Sequence, residues 1–260
     1  MTNSFDVASN TYDITFTYSK VGMAQRQIVY KHLDVVFKTN KTLKILELNC
    51  GTGYDALQFA KKGHHVLATD ISSRMISVCQ NKNKLKNLEF KTLDINAISQ
   101  TDFSNKFDII FSNFGGLNCL SSAEIHQFFK NASQLLSDKG KLILVIMPKL
   151  CIWERLYFSL KNEFKKAKRR QTNDFIQANV NGVKVKTWYY NPQDLIALSH
   201  STYNINTLKP IGLTVPPSYL EQSFLSSKFC LSLFKFLDSI FTHKRFATYA
   251  DHFLMELELK

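Results

Sequence analysis

The chain has 260 residues, of which 45% are hydrophobic and 21 are Phe, a composition that excludes a disordered or fibrous protein. No apolar stretch is long enough to cross a bilayer, and residues 1–10 lack the cationic and apolar regions of a secretory signal. The five Cys residues form no CxxC pair, so we expect neither a disulfide framework nor a metal site, as fits a reducing cytoplasm. The net charge of +12 would attract nucleic acid or anionic lipid, although solvated surface Lys is the simpler explanation.

From residue 43 onward, apolar runs alternate with helix-like segments. The runs LKILEL, HVLATD, NLEFKTLD, FDIIFSNF and KLILVIMP are predicted strands, and most are separated by segments with helical character. This alternation predicts an α/β fold with five parallel strands, right-handed crossovers and helices on both faces.

Glycine and serine residues mark the expected helix ends. Gly63 and Gly140 each follow a helical segment and are predicted to end it in the left-handed conformation. Ser72 and Ser73 precede the next helix, and Ser121 or Ser122 with Glu124 close behind predicts another N-terminal cap.

After Pro148 the alternation breaks. Residues 151–170 resemble one amphipathic helix, VKVKTWYY a strand, NPQDLIALSH a helix and YNINTLKP a sixth strand. Residues 222–241 resemble a Phe-rich helix, and ATYADHFLMELELK suits a closing strand.

We therefore expect one domain over residues 1–260, with a helical N-terminal cover over residues 1–40. Residues 151–185 and 211–248 are insertions that would lie over the carboxyl ends of the strands, where ligands bind in open α/β sheets. They are predicted to form a substrate lid.

The segment ILELNCGTGYDA contains the chain's main chemical signal. Glu47 ends a strand, and Asn49, Gly51 and Gly53 form a turn that brings the backbone close to a ligand before the next helix offers its free N–H groups. Taken alone, this turn also fits the GxGxxG/A pattern of dinucleotide sites. Asp70, after the second strand, suits the ribose hydroxyls in both folds.

ILELNCGTGYDA resembles motif I of the class I S-adenosylmethionine-dependent methyltransferases of the small-molecule type. Glu47 before the turn, Asp94 after the third strand and the probable antiparallel last strand favour this family over an NAD-binding protein. The resemblance implies a doubly wound, Rossmann-like sheet of seven strands in the order 3-2-1-4-5-7-6, with the last strand antiparallel. It implies S-adenosylmethionine as methyl donor and S-adenosylhomocysteine as product.

The resemblance also implies a set of donor-binding residues. Asp70 would bind the ribose and Asp94 the adenine amino group, with Ile71, Met75 and Ile95 around the adenine. Asn113 and Phe114, next to Gly115 and Gly116, would border the reacting methyl, and Glu47 would accept a hydrogen bond from the ammonium group. Tyr12, Tyr18 and Arg26 would cover the sulfonium or bind the carboxylate. Structural roles compete: a helix cap for Asp70, a turn for Asp94 and the core for the two Tyr.

Methyl transfer from a sulfonium is an in-line displacement that positioning alone can accelerate, so a dedicated catalytic residue is not required. Asn113, Tyr18, His32 and His126 are the candidates if a group does assist, although a helix-surface position is the more common role for each His. The expected acceptor is a small, apolar or aromatic metabolite that is methylated at oxygen, nitrogen or carbon. Trp153, Tyr157, Trp188 and Tyr189 would line its pocket or form the insertions' own core.

Two other functions remain open. An RNA methyltransferase would use the net charge of +12, although NFGG replaces the Pro-Pro-Tyr/Phe motif of amino-methylating enzymes that act on nucleic acid. A membrane-surface binding protein would place residues 222–245, where Phe and Leu alternate with Lys, on anionic lipid. The competing interpretation of that segment is a lid helix packed on the domain.

Overall fold

A seven-stranded sheet forms the centre of the protein. The computed structural model describes residues 6, 9, 12–39, 41–180 and 182–260. The strands β1 (Lys44–Leu48), β2 (His65–Asp70), β3 (Leu88–Thr92), β4 (Phe107–Ser112) and β5 (Leu136–Ile146) are parallel, while β8 (Tyr203–Ile211) and β9 (His252–Leu259) pair antiparallel. The order β3-β2-β1-β4-β5-β9-β8 confirms the prediction, since β6 (Ile176–Val180) and β7 (Val183–Thr187) lie outside this sheet.

Helices cover both faces of the sheet. One face carries α1 (Lys20–Val36), α2 (Tyr54–Lys61) and α3 (Ser73–Lys82), and the other carries α4 (Ser122–Leu135) and α7 (Pro192–Ser199). Alternate strand residues supply the two cores, as the period of a strand requires: Ile45 faces α1 and α2, and its neighbour Leu46 faces the opposite core. None of the helices in the described ranges is long and apolar enough to span a bilayer.

The predicted helix starts are confirmed, and one predicted helix end is wrong. Ser72 and Ser121 accept hydrogen bonds from the backbone N–H groups of Met75 and Glu124, and Ser121 forms a full capping box. Gly63 has a φ of 91° after α2. Gly140 lies inside β5, where a Cβ would come within 2.9 Å of the Phe107 and Ser137 carbonyl oxygens. The lack of a Cβ at Gly140 lets β5 pack closely against β4.

The region after β5 differs from the prediction in detail. The helix expected over residues 151–170 divides into α5 (Ile152–Leu160) and α6 (Phe164–Ala167), because Asn162 between them has a φ of 58°. VKVKT forms β7 (Val183–Thr187), which pairs with β6 (Ile176–Val180) as a separate hairpin. The Phe-rich helix α8 is shorter than expected, Lys228–Ile240, because Ser227 caps its first turn.

Both insertions start from the carboxyl edge of the parallel strands. The first follows β5 at Ile146, and the second joins the end of β8 at Ile211 to the start of β9 at His252. Their role as a substrate lid stays a prediction. Within the predicted N-terminal cover over 1–40, positions 1–5, 7, 8, 10, 11 and 40 lie outside the described residues, as does position 181 of the first insertion.

Candidate cofactor site

The glycine turn after β1 lies at the carboxyl edge of the sheet. Asn49, Gly51 and Gly53 have φ values of 55°, 54° and 77°, in the left-handed region that favours glycine. A Cβ on Gly53 would also come within 2.8 Å of the Phe90 ring. The turn therefore favours glycine at positions 51 and 53 for their positive φ values, and at position 53 also because a Cβ would clash with Phe90.

Asp70, the last residue of β2, fixes this turn. Its two carboxylate oxygens accept hydrogen bonds from the backbone N–H groups of Gly51 and Ser72, both at 2.9 Å. Burial raises the pKa of Asp70 to about 6, although these two backbone hydrogen bonds oppose the shift. The carboxylate ties the glycine turn to the start of α3, and its remaining lone pairs suit hydroxyl donors.

Glu47 is a buried carboxyl beside the turn. Its Oε2 atom has no hydrogen-bond partner in the described part of the chain. Burial and the nearby charge of Asp55 raise the pKa of Glu47 well above its usual range. A buried, unpartnered acceptor is costly in a folded protein, which is the pattern expected of a group that binds a ligand's donor.

Glu47 borders a cavity of about 20 Å³. The cavity is lined by Tyr12, Phe16, Thr17, Arg26, Glu47, Asn49, Cys50, Thr52, Tyr54, Asp55, Asn113 and Phe114. Six of these residues were predicted from the sequence, so the fold brings the candidate residues of β1, β4 and the N-terminal segment together. Tyr12 packs directly over Gly51, whose added Cβ would lie 3.2 Å from its ring.

Arg26 holds one wall of the cavity. Its Nε donates to Asp55 at 2.9 Å and its Nη1 to the Thr17 carbonyl at 3.2 Å, while its guanidinium lies 4.8 Å and 5.0 Å from the ring centroids of Tyr54 and Phe114. Asp55 also accepts from Tyr30 and, at 2.9 Å, from the Asn113 amide. This buried network joins α1 and α2 to the end of β4.

The loop after β4 closes the opposite wall. Phe114 and Gly115 have φ values of 46° and 73°, and a Cβ on Gly116 would meet the Asn49 side chain at 2.5 Å. Asn113 and Phe114 border the cavity, and Gly116 lets the loop approach the glycine turn.

The predicted adenine-binding residues lie outside this cavity. Asp94 is exposed and accepts a hydrogen bond from the backbone N–H of Asn96 at 2.9 Å, so it has the turn role that competed with adenine binding. Ile71 is exposed beside Asp70, while Met75 and Ile95 are buried. Adenine binding by these four residues stays a prediction.

Three catalytic candidates do not line the cavity. His32 binds Glu256 of β9 at 2.6 Å, beneath α1, and His126 bonds the Leu198 carbonyl between α4 and α7 at 3.0 Å. Tyr18 is exposed and touches Tyr54 edge to face. The positions of His32 and His126 argue against a catalytic role, because each ring is hydrogen-bonded to a group on another element.

The four aromatic residues suggested for an acceptor pocket have packing contacts instead. Trp153 contacts Phe234 of α8, Tyr157 contacts Tyr219, and Trp188 contacts Phe175. The Tyr189 ring lies under the Arg170 guanidinium. These contacts favour the alternative interpretation, a core of the insertions, for Trp153 and Tyr157, while Trp188 also packs against the main core of the domain.

Sequence reasoning missed several residues at the site. Asp55 and Tyr54 were within the quoted GTGYDA, and a carboxylate two residues past the turn was the available signal. Phe16 lies edge-on to Phe114, with centroids 5.8 Å apart. The His252 ring also lies against Phe114, with centroids 5.5 Å apart, and its Nδ1 lies 3.3 Å from Asp251 Oδ2. No local sequence pattern predicts the contacts of Phe16 and His252 with Phe114.

A larger groove of about 450 Å³ lies at the opposite edge of the sheet. It is lined by residues at or beside the strand starts, among them Lys44, His65, Leu88 and Phe107. Ligands of open α/β sheets bind at the carboxyl edge, where the glycine turn lies. The small cavity is therefore the candidate site.

Comparison with known proteins shows which proteins this chain resembles. Residues 45–140 match the family model described as "Methyltransferase domain". The malonyl-[acyl-carrier protein] O-methyltransferase of Bacillus anthracis is 28% identical over 171 residues, which are 64% of this chain and 58% of that protein. The putative methyltransferase YqeM of Bacillus subtilis is 31% identical over 102 residues, 38% of this chain and 40% of that protein. The chain thus spans about half the length of such curated relatives.

Two solved structures share the fold. The PH0226 protein from Pyrococcus horikoshii OT3 has a TM-score of 0.60 at 16% identity, covering 96% of this chain and 99% of its own. The structure titled "DhpI-SAH complex structure" has a TM-score of 0.60 at 13% identity, covering 98% and 93%. The chain therefore has the fold of the class I S-adenosylmethionine-dependent methyltransferases, and residues 45–140 are similar to a methyltransferase domain.

Proposed function

We propose that this chain is an enzyme that transfers a methyl group from S-adenosylmethionine to a small-molecule acceptor and leaves S-adenosylhomocysteine. The observation that carries the proposal is the buried Glu47 oxygen without a partner, beside a glycine turn that Asp70 fixes at the carboxyl edge. An acceptor of that kind suits an ammonium group, and Asp70 suits vicinal hydroxyls.

The residues present fit such a donor. Asp70 would hold the ribose and Glu47 the ammonium, while Asn113 and Phe114 would border the reacting carbon. The bound donor supplies an electrophilic methyl group on a cationic sulfur. The chain's own contribution is to orient that group and to exclude water from it, and the rings of Tyr12, Phe16, Tyr54 and Phe114 are suited to the second task.

Binding requires movement of the N-terminal segment. Small-molecule sites usually occupy several hundred Å³, and the cavity beside Glu47 measures about 20 Å³. Tyr12 and Phe16 belong to the short segment before α1, which is fixed by Arg26 through the Thr17 carbonyl. We infer that this segment withdraws to admit the donor and then covers it, in keeping with the predicted N-terminal cover.

The acceptor is proposed to be small and apolar or aromatic, reached from the side of the two insertions. The names of the Bacillus relatives specify methylation at oxygen, which supports an oxygen acceptor here as well. Among the described residues that line the cavity, Arg26 and Asp55 bond each other, and Glu47 has the one buried side-chain oxygen without a partner. Positioning is therefore proposed to supply most of the catalysis.

Calorimetry with S-adenosylhomocysteine tests the proposal. We expect binding by the unaltered chain and at least about tenfold weaker binding by Asp70→Ala and by Glu47→Gln, since each loses a charge-assisted hydrogen bond. Asp102→Ala, at an exposed carboxylate far from the turn, is the matched control and should bind normally. Absence of binding by the unaltered chain, or unchanged affinity in Asp70→Ala, would refute the proposed function.

A further inference from the structure

Helix α8 is apolar on two sides. One side packs on the domain: Leu231 and Phe234 contact the cluster of Val21, Ala24 and Val215. Asp238, on the same side, accepts hydrogen bonds from the backbone N–H groups of Thr214 at 2.7 Å and Val215 at 3.3 Å. These contacts confirm that α8 is packed on the domain, and they leave its other side unexplained.

The other side of α8 is an exposed apolar stripe. Phe229, Leu233, Phe236 and Ile240 recur at helical spacing and are 80%, 47%, 61% and 57% exposed. Single exposed apolar residues are ordinary on proteins, whereas four on one helix face form a patch of the kind that marks an interaction site. The stripe therefore requires a partner.

A second exposed stripe lies on the neighbouring helix α5. Ile152, Leu156 and Leu160 are exposed at intervals of four residues. The two helices touch where Trp153 of α5 meets Phe234 of α8, with ring centroids 6.0 Å apart. We call the exposed sides of these two helices, Ile152–Leu160 and Lys228–Ile240, the α5–α8 face.

Positive charge is concentrated around this face. Residues 151–170 contain seven Lys and Arg against two Glu, of which Arg170 is buried and paired with Glu154 and Asp251, and residues 222–245 contain four against Asp238 alone. Among the exposed ones are Arg155, Lys165, Lys168, Lys228 and Lys244, none of which has an ion pair in the described part of the protein. Two short segments thus account for most of the net charge of +12.

We propose that the α5–α8 face docks on the surface of an anionic phospholipid bilayer. Large apolar side chains at helical spacing, with Lys and Arg along their borders, are the pattern of an interfacial helix: the apolar groups enter the acyl boundary and the cations meet the headgroups. A second copy of this chain fits less well, because its face would bring the same positive charges together. The proposal does not depend on methyl transfer, and its test uses no donor.

Vesicle flotation tests the proposal. The full chain should float with phosphatidylcholine vesicles that contain about 30 mol% phosphatidylglycerol, remain at the bottom with pure phosphatidylcholine, and detach as salt rises. The double variant Phe229→Ser/Phe236→Ser should reduce the bound fraction at least about tenfold, since two large apolar groups are lost from the contact. Both positions are exposed, so the far-ultraviolet circular dichroism should not change.

The matched control is Val35→Ser/Leu85→Ser, which removes two exposed apolar groups outside the face and should float like the unaltered chain. The proposal fails if the unaltered chain stays at the bottom with anionic vesicles, or if the control loses as much binding as the double variant. Self-association without lipid that Phe229→Ser/Phe236→Ser abolishes would assign the face to a second copy and overturn the proposal. Donor binding, measured separately by calorimetry, is unaffected by any of these outcomes.

Discussion

At the scale of single residues, Asp70 couples the proposed function to pH. Its pKa is raised to about 6 in the folded chain, from an ordinary value of 3.8, chiefly by burial. Between these values the folded state holds a proton that the unfolded state has lost, so this residue's contribution to stability falls as pH rises through the window. The affinity for a ligand should instead rise with pH through this window, because only the ionised carboxylate accepts hydrogen bonds at both oxygens.

We therefore predict that affinity for S-adenosylhomocysteine falls about tenfold between pH 7 and pH 5, as Asp70 takes up its proton. Asp70→Asn should bind weakly and with no such dependence, and Asp102→Asn should retain the dependence. Calorimetry across this range measures all three. A flat profile in the unaltered chain would show that Asp70 does not control binding.

The sequence predicted those site residues that lie together on one short segment. Glu47, Gly51 and Gly53 occur within seven positions, and their order relative to a strand end indicates their roles before any fold is known. Phe16 and His252 reach the same cavity wall from opposite ends of the chain. Only the tertiary fold brings them together, so no spacing in the sequence reveals them. His32 was a catalytic candidate from the sequence, and its position in a helix did not indicate that Glu256 would bind it.

At the scale of elements, the buried amide of Asn118 joins three segments beside the site. Its Nδ2 donates to the carbonyls of Met147 at 3.1 Å and Trp188 at 2.6 Å, and its Oδ1 accepts from the Met147 N–H at 2.9 Å. The side chain is fully buried. It thus connects the loop after β4 to the end of β5 and to the end of the β6–β7 hairpin.

Replacement of Asn118 by Leu should lower the free energy of unfolding by about 3 kcal/mol, because the Met147 N–H and the Trp188 carbonyl lose their partner and the Met147 carbonyl keeps only the Tyr190 N–H. Urea denaturation followed by circular dichroism measures the change. Asn105→Leu, at an exposed turn residue, is the control and should change stability by less than about 0.5 kcal/mol. Equal losses in the two variants would show that the Asn118 hydrogen bonds add nothing specific.

The strands and most helices were predictable because their apolar periodicity is local. Gly140 was misassigned because a glycine after a helix usually ends it, whereas here the chain enters β5 at Leu136, directly after α4. The division between α5 and α6 was also missed. Asn162 adopts a positive φ there, and the apolar spacing on either side gives no sign of that.

At the scale of the whole molecule, a closing antiparallel strand sets the position of both insertions. Because β9 runs antiparallel to β5, its first residue lies beside the last residues of β5, and Phe253 pairs with Ile146. The apolar runs predicted the strands themselves, and the family resemblance implied their order in the sheet. The packing of the insertions could not be predicted, because it depends on charges buried between segments far apart in the chain.

The clearest of these buried charges is Arg170, which joins the first insertion to the start of β9. Its guanidinium donates to Glu154 at 2.9 Å and to the Asp251 carboxylate and carbonyl at 2.8 Å and 3.1 Å. Asp251 also accepts from Gln25 of α1 at 3.0 Å. Burial alone would raise the pKa of Asp251, but His252, Arg170 and Gln25 hold it far below its usual range. The carboxylate therefore remains charged within the protein.

Arg170→Met should lower the free energy of unfolding by about 3 to 5 kcal/mol, because it leaves the Asp251 carboxylate buried without its cation. Hydrogen exchange should show the loss locally, with faster exchange at the amides of α5, α6 and the first residues of β9 than in β1 to β4. Lys168→Met removes an exposed cation two residues away and should leave both measurements unchanged. Uniformly faster exchange over the entire sheet would show that Arg170 supports the domain as a whole. Faster exchange that is confined to the insertions and β9 would show that this buried network attaches them to an independently stable sheet.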